Sequence, residues 1–121
     1  MPYEITIDAE RGYLNLHYFG AVRLDDRKSA RDEVFALCRE HNIAHSLVET
    51  QDSDIMMNES DVIRFAAGFE NIDLPPNYRL ACVVSPDNSG DKLLEIIISL
   101  EGINVKYFLR RDEALNWLQA V

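Results

Sequence analysis

The residues of this chain whose types and spacing suit chemistry sit in short polar stretches between apolar runs. Asp52-Ser53-Asp54 puts two carboxylates within three positions, with Asp87 further along, and such hard oxygen donors suit Mg²⁺ or Ca²⁺. No EF-hand spacing follows them, and a solvated acidic loop explains them equally well. Asn58 and Ser60 in one stretch, and Ser85, Asn88, Ser89 and Gly90 in another, are residue types that open helices. Backbone N–H groups at helix starts attract anions, so these stretches, helped by Arg23 or Arg110, would make a weak phosphate or carboxylate site. Ordinary turn and cap chemistry uses the same residues, and no glycine-rich phosphate loop or dinucleotide fingerprint accompanies them.

Other chemistries find less support. His41 and His45 are four apart, yet one closes a helical pattern and the other enters a strand, so they share no helical face as in a zinc-binding H-E-x-x-H. His17 lies in a strand pattern, opposite Leu16, with no matching Cys or carboxylate spacing. The two cysteines, Cys38 on an apolar helical stripe and Cys82 in mid-strand, read as buried reduced thiols. There is no G-x-S-x-G elbow, and neither cysteine has a histidine placed by a motif. Phe65, Phe69 and Trp117 recur at helical spacing and belong to a core. These readings leave no catalytic residues, no metal and no cofactor.

The elements that must position these residues follow from periodicity. Tyr3–Asp8 and Tyr13–Phe19 alternate across a short turn and predict an antiparallel hairpin. Ala30, Val34, Leu37, Cys38 and His41 form one stripe and predict a helix over Asp25–Asn42. Strands are expected over Ile43–Thr50, Tyr78–Val84 and Val105–Leu109, with a loop at Gln51–Met57. Val62, Phe65, Ala66 and Phe69 predict a second helix, from Asn58 to near Asn71, and Pro75-Pro76 bars its continuation. Ala114, Trp117, Leu118 and Val121 predict a terminal one.

Asp91–Glu101 is ambiguous, because Ile96, Ile97 and Ile98 are β-branched and a hairpin of Ile96–Leu100 with Ile103–Phe108 is conceivable. A helix is preferred: Leu93, Ile96, Ile97 and Leu100 fit one stripe and Gly102 suits its end. Leu94 and Ile98 then form a second stripe, more apolar surface than one sheet face needs, and are expected to meet a neighbouring helix or a partner. The alternation predicts a single α/β domain over residues 1–121, with a mixed sheet of about five strands covered by four helices. The N-terminal hairpin is antiparallel and the rest parallel. The expected ligand edge is where the parallel strands end, at Gly20–Arg23, Gln51–Ser60, Ser85–Ser89 and Arg110–Arg111.

Composition narrows the partners. A chain of 121 residues with 47% apolar content folds around a core of its own. Its net charge of −9 disfavours nucleic acid and anionic membrane surfaces. No secretory leader or membrane span is legible, so a soluble cytoplasmic protein is expected.

The order of elements resembles the STAS domains, and in particular the SpoIIAA-like family. Phe19-Gly20-Ala21-Val22-Arg23-Leu24-Asp25-Asp26 is similar to the family's glycine-containing exit from a strand into the first helix. Tyr78–Val84 is similar to its Arg-x-Ala-apolar strand, and Val105–Phe108 with Glu113-Ala114-Leu115-Asn116-Trp117-Leu118 to its closing strand and helix. The resemblance covers nearly the whole chain. It implies a binding module and not an enzyme, acting through a protein partner. The namesake is switched by phosphorylation of a serine in an Asp-Ser-Ser-Gly-like motif at a helix start; here Ser53 and Ser60 are the nearest serines and neither sits in that motif.

Two functions are therefore expected in order. The first is a regulatory or protein-interaction module presenting Asp52, Ser53, Asn58, Ser60 and the flank of Leu94 and Ile98. The second is a carrier of a small anionic or lipid-like molecule at the helix N-terminal edge of the sheet, near Arg23, Ser85, Asn88, Ser89 and Arg110.

Overall fold

The computed structural model describes residues 1–70, 72–86 and 89–120; Asn71, Asp87, Asn88 and Val121 lie outside the described residues, as do the side chains of Ser89, Gly90 and Asp91. Strands β1 (Tyr3–Asp8) and β2 (Tyr13–Tyr18) pair antiparallel from Tyr3↔Tyr18 to Asp8↔Tyr13. Gly12, at φ 74°, closes their turn by donating to the Asp8 carbonyl at 2.8 Å. From β2 the sheet continues parallel through β4 (His45–Glu49), β6 (Arg79–Val83) and β7 (Asn104–Phe108), in the order β1-β2-β4-β6-β7. Helices α1 (Leu24–His41), α2 (Glu59–Ala67) and α3 (Ser89–Leu100) connect the parallel strands, and α4 (Arg111–Gln119) follows the last.

The strand order advances in one direction, so right-handed crossovers place α1, α2 and α3 on the same face. The main core lies there. Leu14, Leu16 and Tyr18 of β2, Val48 of β4, and Leu80 and Cys82 of β6 meet Ala30, Val34, Phe35 and Cys38 of α1 and Val62, Phe65 and Ala66 of α2. Phe35, Phe65, Phe69 and Tyr78 pack edge to face, with ring centroids 5.3–6.3 Å apart. Among the described residues, α4 covers the other face. Ala114 and Leu118 cover Tyr13, Leu47, Ala81 and Val83. Burial on both faces explains why β6 reads as a continuous apolar run over Leu80–Val83, whereas β4 carries buried Ser46 and Glu49 beside Leu47 and Val48.

Local chemistry sets the element ends. Asn42 (φ 52°, ψ 48°) stops α1 in a left-handed conformation, and the Ile43 N–H donates to the Cys38 carbonyl at 2.9 Å. Asn58 caps α2: its side chain accepts from the Asp61 N–H at 2.8 Å, and the Asp61 carboxylate accepts from the Asn58 N–H at 3.2 Å. Arg79 anchors the end of α4 by donating to the carbonyls of Trp117 and Ala120 at 2.8 and 2.6 Å. Below the sheet, the Tyr78 hydroxyl donates to Ser46 Oγ at 2.6 Å, and Ser46 Oγ lies 3.4 Å from Cys38 Sγ, so buried polar atoms of α1, β4 and the start of β6 satisfy one another.

Three expectations are corrected. Segment 89–100 is a helix, not half of a hairpin, but the stripe it buries is Leu94 and Ile98, each 2% exposed. Leu93, Ile96 and Leu100 face outward. Leu94 and Ile98 therefore belong to the core and are not a partner surface; the sheet and α2 together need that stripe, and periodicity alone does not rank two adjacent stripes. Secondly, Gln51–Met57 is not only a loop. Ser53–Ile55 (β5) pairs parallel with Gly20–Val22 (β3) as a separate two-stranded ribbon, and Gly20, at φ 69°, makes the turn out of β2. Thirdly, His41 ends α1 exposed instead of extending its buried stripe, which includes Arg27 and Phe35.

Candidate functional site

Strands β2, β4, β6 and β7 end at Tyr18, Glu49, Val83 and Phe108, and the connections that follow them gather at one edge. The β3–β5 ribbon stiffens the first two connections. Its register is Gly20↔Ser53, Ala21↔Asp54 and Val22↔Ile55. It is tied at both ends, by the Gly20 N–H to the Asp52 carbonyl at 3.3 Å and by the Met56 N–H to the Val22 carbonyl at 2.7 Å. Ser53 closes the turn after β4, donating from Oγ to the Thr50 carbonyl at 2.7 Å. Thr50 is buried and bonded to the Val83 carbonyl through its N–H at 3.0 Å. Phe19 and Met56, large apolar residues that stay exposed, flank the ribbon at its two ends, roughly 14 Å apart along its register.

Each sequence-selected residue now has a place. Asp52 is exposed and its Oδ2 lies 2.8 Å from Nε2 of His17. Asn58 is spent on the α2 cap, and Ser60 is exposed in the first turn of α2. Arg23 precedes α1, where its N–H donates to the Asp26 carboxylate at 2.9 Å. Arg110 precedes α4 and pairs with its neighbour Asp112 at 3.0 Å. Hydrogen bonding from Arg110 holds the Asp112 carboxyl below its ordinary value. Arg23 follows β3 in the separate ribbon, which continues from β2, and Arg110 follows β7, three strand spacings or roughly 14 Å from β2, so they do not converge on one anion. Ser85 lines a surface groove of about 350 Å³ with Pro86, Lys92, Glu95 and Leu109. Asn88 and the side chain of Ser89 are outside the described residues. Among the described residues no three His, Cys, Asp or Glu side chains converge as a metal site, and no helix is long and apolar enough to cross a membrane.

Sequence reasoning missed the polar cluster beside this edge, on the α4 face. Glu49 is 6% exposed and pairs with Arg111 Nε at 3.0 Å. Asn15 donates to the other Glu49 oxygen at 3.1 Å and to the Leu47 carbonyl at 3.3 Å, and Gln51 donates to Glu49 at 3.4 Å. His17 stands between Glu4 on β1 and Glu49 on β4 in the strand register. The signal was present: a glutamate closing a central strand must find partners, because a buried carboxylate without them is costly.

The electrostatics of the ribbon end of this edge are one-sided. Asp25, Asp26, Asp52, Asp54, Glu59 and Asp61 crowd the starts of α1 and α2 and the ribbon, against Arg23 and Lys28, while Arg110 and Arg111 at the β7 end are paired with Asp112 and Glu49. A free anion is repelled there, whereas a cationic protein surface is attracted.

The interior offers little room for a carried molecule. Between the sheet and helices α1, α2 and α3 is a cavity of about 40 Å³, lined mainly by apolar and aromatic side chains with the guanidinium groups of Arg27 and Arg31 at its wall. A cavity that takes up benzene is about 150 Å³. Arg27 stacks on Tyr18 and Phe65, at 5.3 and 4.7 Å to the ring centroids, and Arg31 donates to the Phe65 carbonyl at 2.8 Å. Both cations thus serve packing.

No family model and no curated protein sequence matches this chain. Solved structures do. An uncharacterized protein of the DUF3478 family with a SpoIIAA-like fold, from Shewanella loihica, is 14% identical, with 96% of this chain and 91% of that one covered and a TM-score of 0.57. The anti-sigma factor antagonist SpoIIAA in its unphosphorylated form is 10% identical, with 98% of this chain and 99% of that one covered and a TM-score of 0.64. A five-stranded mixed sheet with an antiparallel hairpin at one side, three helices on one face and one on the other is thus matched end to end at low identity: the chain has a SpoIIAA-like, STAS-like α/β fold.

Proposed function

We propose that this protein is a non-catalytic, cytoplasmic regulatory module that binds a protein partner at the carboxyl edge of its parallel strands. The observation that carries the reading is the β3–β5 ribbon. It holds Phe19 and Met56 exposed on a backbone tied at both ends, within a surround of Asp52, Asp54, Asp25 and Glu59. Rigid apolar anchors inside a charged rim are the usual anatomy of a protein-binding patch. The acidic rim selects a basic partner surface and speeds its approach. Ser53 and Ser60 lie at this edge, one in the ribbon and one exposed at the start of α2, so their modification would add negative charge to an already acidic rim. Two free, buried thiols agree with a reducing compartment. The fold neighbour that is an anti-sigma factor antagonist supports a regulatory role by analogy of fold.

Quantitative affinity capture from the source cells, with wild type, Phe19→Ser, Met56→Ser and a distant control, Glu10→Ala, tests this. The expected result is a stoichiometric protein kept by wild type and the control, lost with both serine variants and weakened by salt. A partner indifferent to Phe19 and Met56, or no partner at physiological salt, overturns the reading.

The carrier reading has no observation in its favour: the cavity is small, and the edge it would use is acidic.

A further inference from the structure

The sheet has two outer strands, and their free sides differ. At β7, Glu95 of α3 accepts a hydrogen bond from the Tyr107 N–H at 3.0 Å, so the neighbouring helix takes up an outward donor of that strand. β1 ends the sheet order on the other side, with β2 as its strand partner. In an antiparallel pair, a residue turns both of its backbone groups toward the partner at every second position. The Phe19 N–H donates to the Pro2 carbonyl at 2.9 Å, which fixes the phase: Glu4, Thr6 and Asp8 face β2, and the N–H and C=O groups of Tyr3, Ile5 and Ile7 point outward. Among the described residues no hydrogen bond meets those outward groups. β1 has neither the proline, the lysine nor the bulge that commonly blunts such an edge.

Charge decides the occupant. The Tyr3 hydroxyl donates to Glu33 at 3.3 Å, which sets this flank of α1 beside β1. Asp26 and Glu40 stand one heptad before and after Glu33, on the same helical face, with Ser29, Ala30, Ala36 and Leu37 between them and no lysine or arginine. On the other face of the sheet, Glu4 and Asp8 flank Thr6, and Glu10 follows in the turn. The basic groups nearby are His17 opposite Glu4, Arg11 in the turn, and His41, which lines one groove with Ile7.

We propose that β1 takes up an extended segment of a partner protein as a sixth strand, and that this segment alternates apolar residues with lysine or arginine. Paired positions of neighbouring strands share a face. Apolar residues of the added strand then lie beside Tyr3, Ile5 and Ile7, of which Ile7 is 39% exposed, and basic residues lie beside Glu4 and Asp8. Asp26, Glu33 and Glu40 favour the segment's net positive charge. A second copy of this chain is disfavoured there, because pairing β1 with β1 adds Glu4 and Asp8 to their own kind and brings two acidic flanks of α1 together. This surface uses neither Phe19 nor Met56.

Titration of the isotope-labelled full chain at near-physiological salt with an end-blocked eight-residue peptide alternating valine and lysine, followed by amide NMR shifts, tests this. Saturable shifts centred on Tyr3, Ile5 and Ile7 are expected, with slower hydrogen exchange at those amides. N-methylating the peptide at every valine and, separately, at every lysine removes the donors on one side of the strand at a time. One form is expected to lose about tenfold or more in affinity and the other to keep most of it. Glu4→Lys, at an exposed position, should weaken binding about threefold, whereas Phe19→Ser should leave it unchanged. An absence of saturable shifts, or shifts centred elsewhere, overturns the proposal. Two N-methylated forms that behave alike overturn the strand addition. A valine–glutamate peptide that binds equally, or indifference to Glu4→Lys, overturns the selection by charge. Shifts at Tyr3–Ile7 that depend on protein concentration without peptide overturn it in favour of a second copy.

Discussion

The choice between the two apolar stripes of α3 has a direct energetic consequence. Leu94 is 2% exposed and borders the 40 Å³ cavity; Leu100 is 80% exposed. Truncating a buried leucine costs the lost transfer energy plus a term of about 24 cal/mol per Å³ of void that does not close. For core leucines the total is about 2–5 kcal/mol, and the cavity already beside Leu94 places Leu94→Ala in the upper half, about 3–4 kcal/mol. In a domain of this length each kcal/mol moves Tm by roughly 3–5 °C, so a drop of about 10–15 °C follows. Leu100→Ala removes a side chain already in water and is expected to change stability by less than about 0.5 kcal/mol. Urea denaturation measures both. The midpoint should fall for Leu94→Ala with an unchanged slope and stay in place for Leu100→Ala. Comparable losses in the two variants, or a loss below about 1 kcal/mol for Leu94→Ala, would refute the placement of the stripes.

Other outcomes follow from single contacts. Arg111→Ala leaves Glu49 buried with only amide donors. Because Arg111 is 46% exposed and Asn15 and Gln51 remain, about 1–2 kcal/mol of destabilisation is expected, and a double-mutant cycle with Glu49→Gln should return a coupling of about 1 kcal/mol. Asn58→Ala removes the α2 cap and should cost about 1 kcal/mol in the same denaturation experiment, with Asn58→Asp close to wild type. Burial pushes the Cys38 thiol up and the Tyr78 hydroxyl well up from their ordinary values. The unfolded chain therefore releases those protons first, so stability is full below about pH 8.5–9 and declines as pH rises beyond it, which unfolding midpoints across that range will show. In the native protein both thiols should resist a disulfide reagent at pH 8 and react only after urea is added; a fast native thiol would contradict the burial of Cys38 and Cys82. Burial lowers His45 below its ordinary value, so its contribution is present above about pH 6.5 and is lost as pH falls, and His45→Gln should flatten that acid limb.

The extent to which the chain spoke for itself differs from element to element. Leu14, Leu16 and Tyr18 alternate in a strand, and Val62, Phe65, Ala66 and Phe69 recur at helical spacing; in each case one period has one solution, and those residues are buried as expected. The ribbon of Gly20–Val22 with Ser53–Ile55 left no such trace, because three residues are too few to show a period and its pairing joins segments some thirty positions apart. The edge residues divide likewise. Asn58 was legible as a cap because capping is local, whereas the Glu49–Arg111 pair spans 62 positions and had no local cue except a glutamate closing a central strand. Arg23 and Arg110 were legible as residues just before helices, but that Arg110 is taken up by its neighbour Asp112 depended on the folded geometry.

By itself, then, the sequence determined the order and type of the four helices and the five strands of the main sheet, the direction of those strands and the overall acidity, since these depend on periodicity, caps, breaker residues and a count of charges. Tertiary structure decided which face of α3 is interior, that two short segments zip into a ribbon, and which carboxylate receives which guanidinium. Those outcomes depend on what lies opposite a residue in space, and an apolar stripe does not record its neighbour until the sheet and the helices beside it are in place.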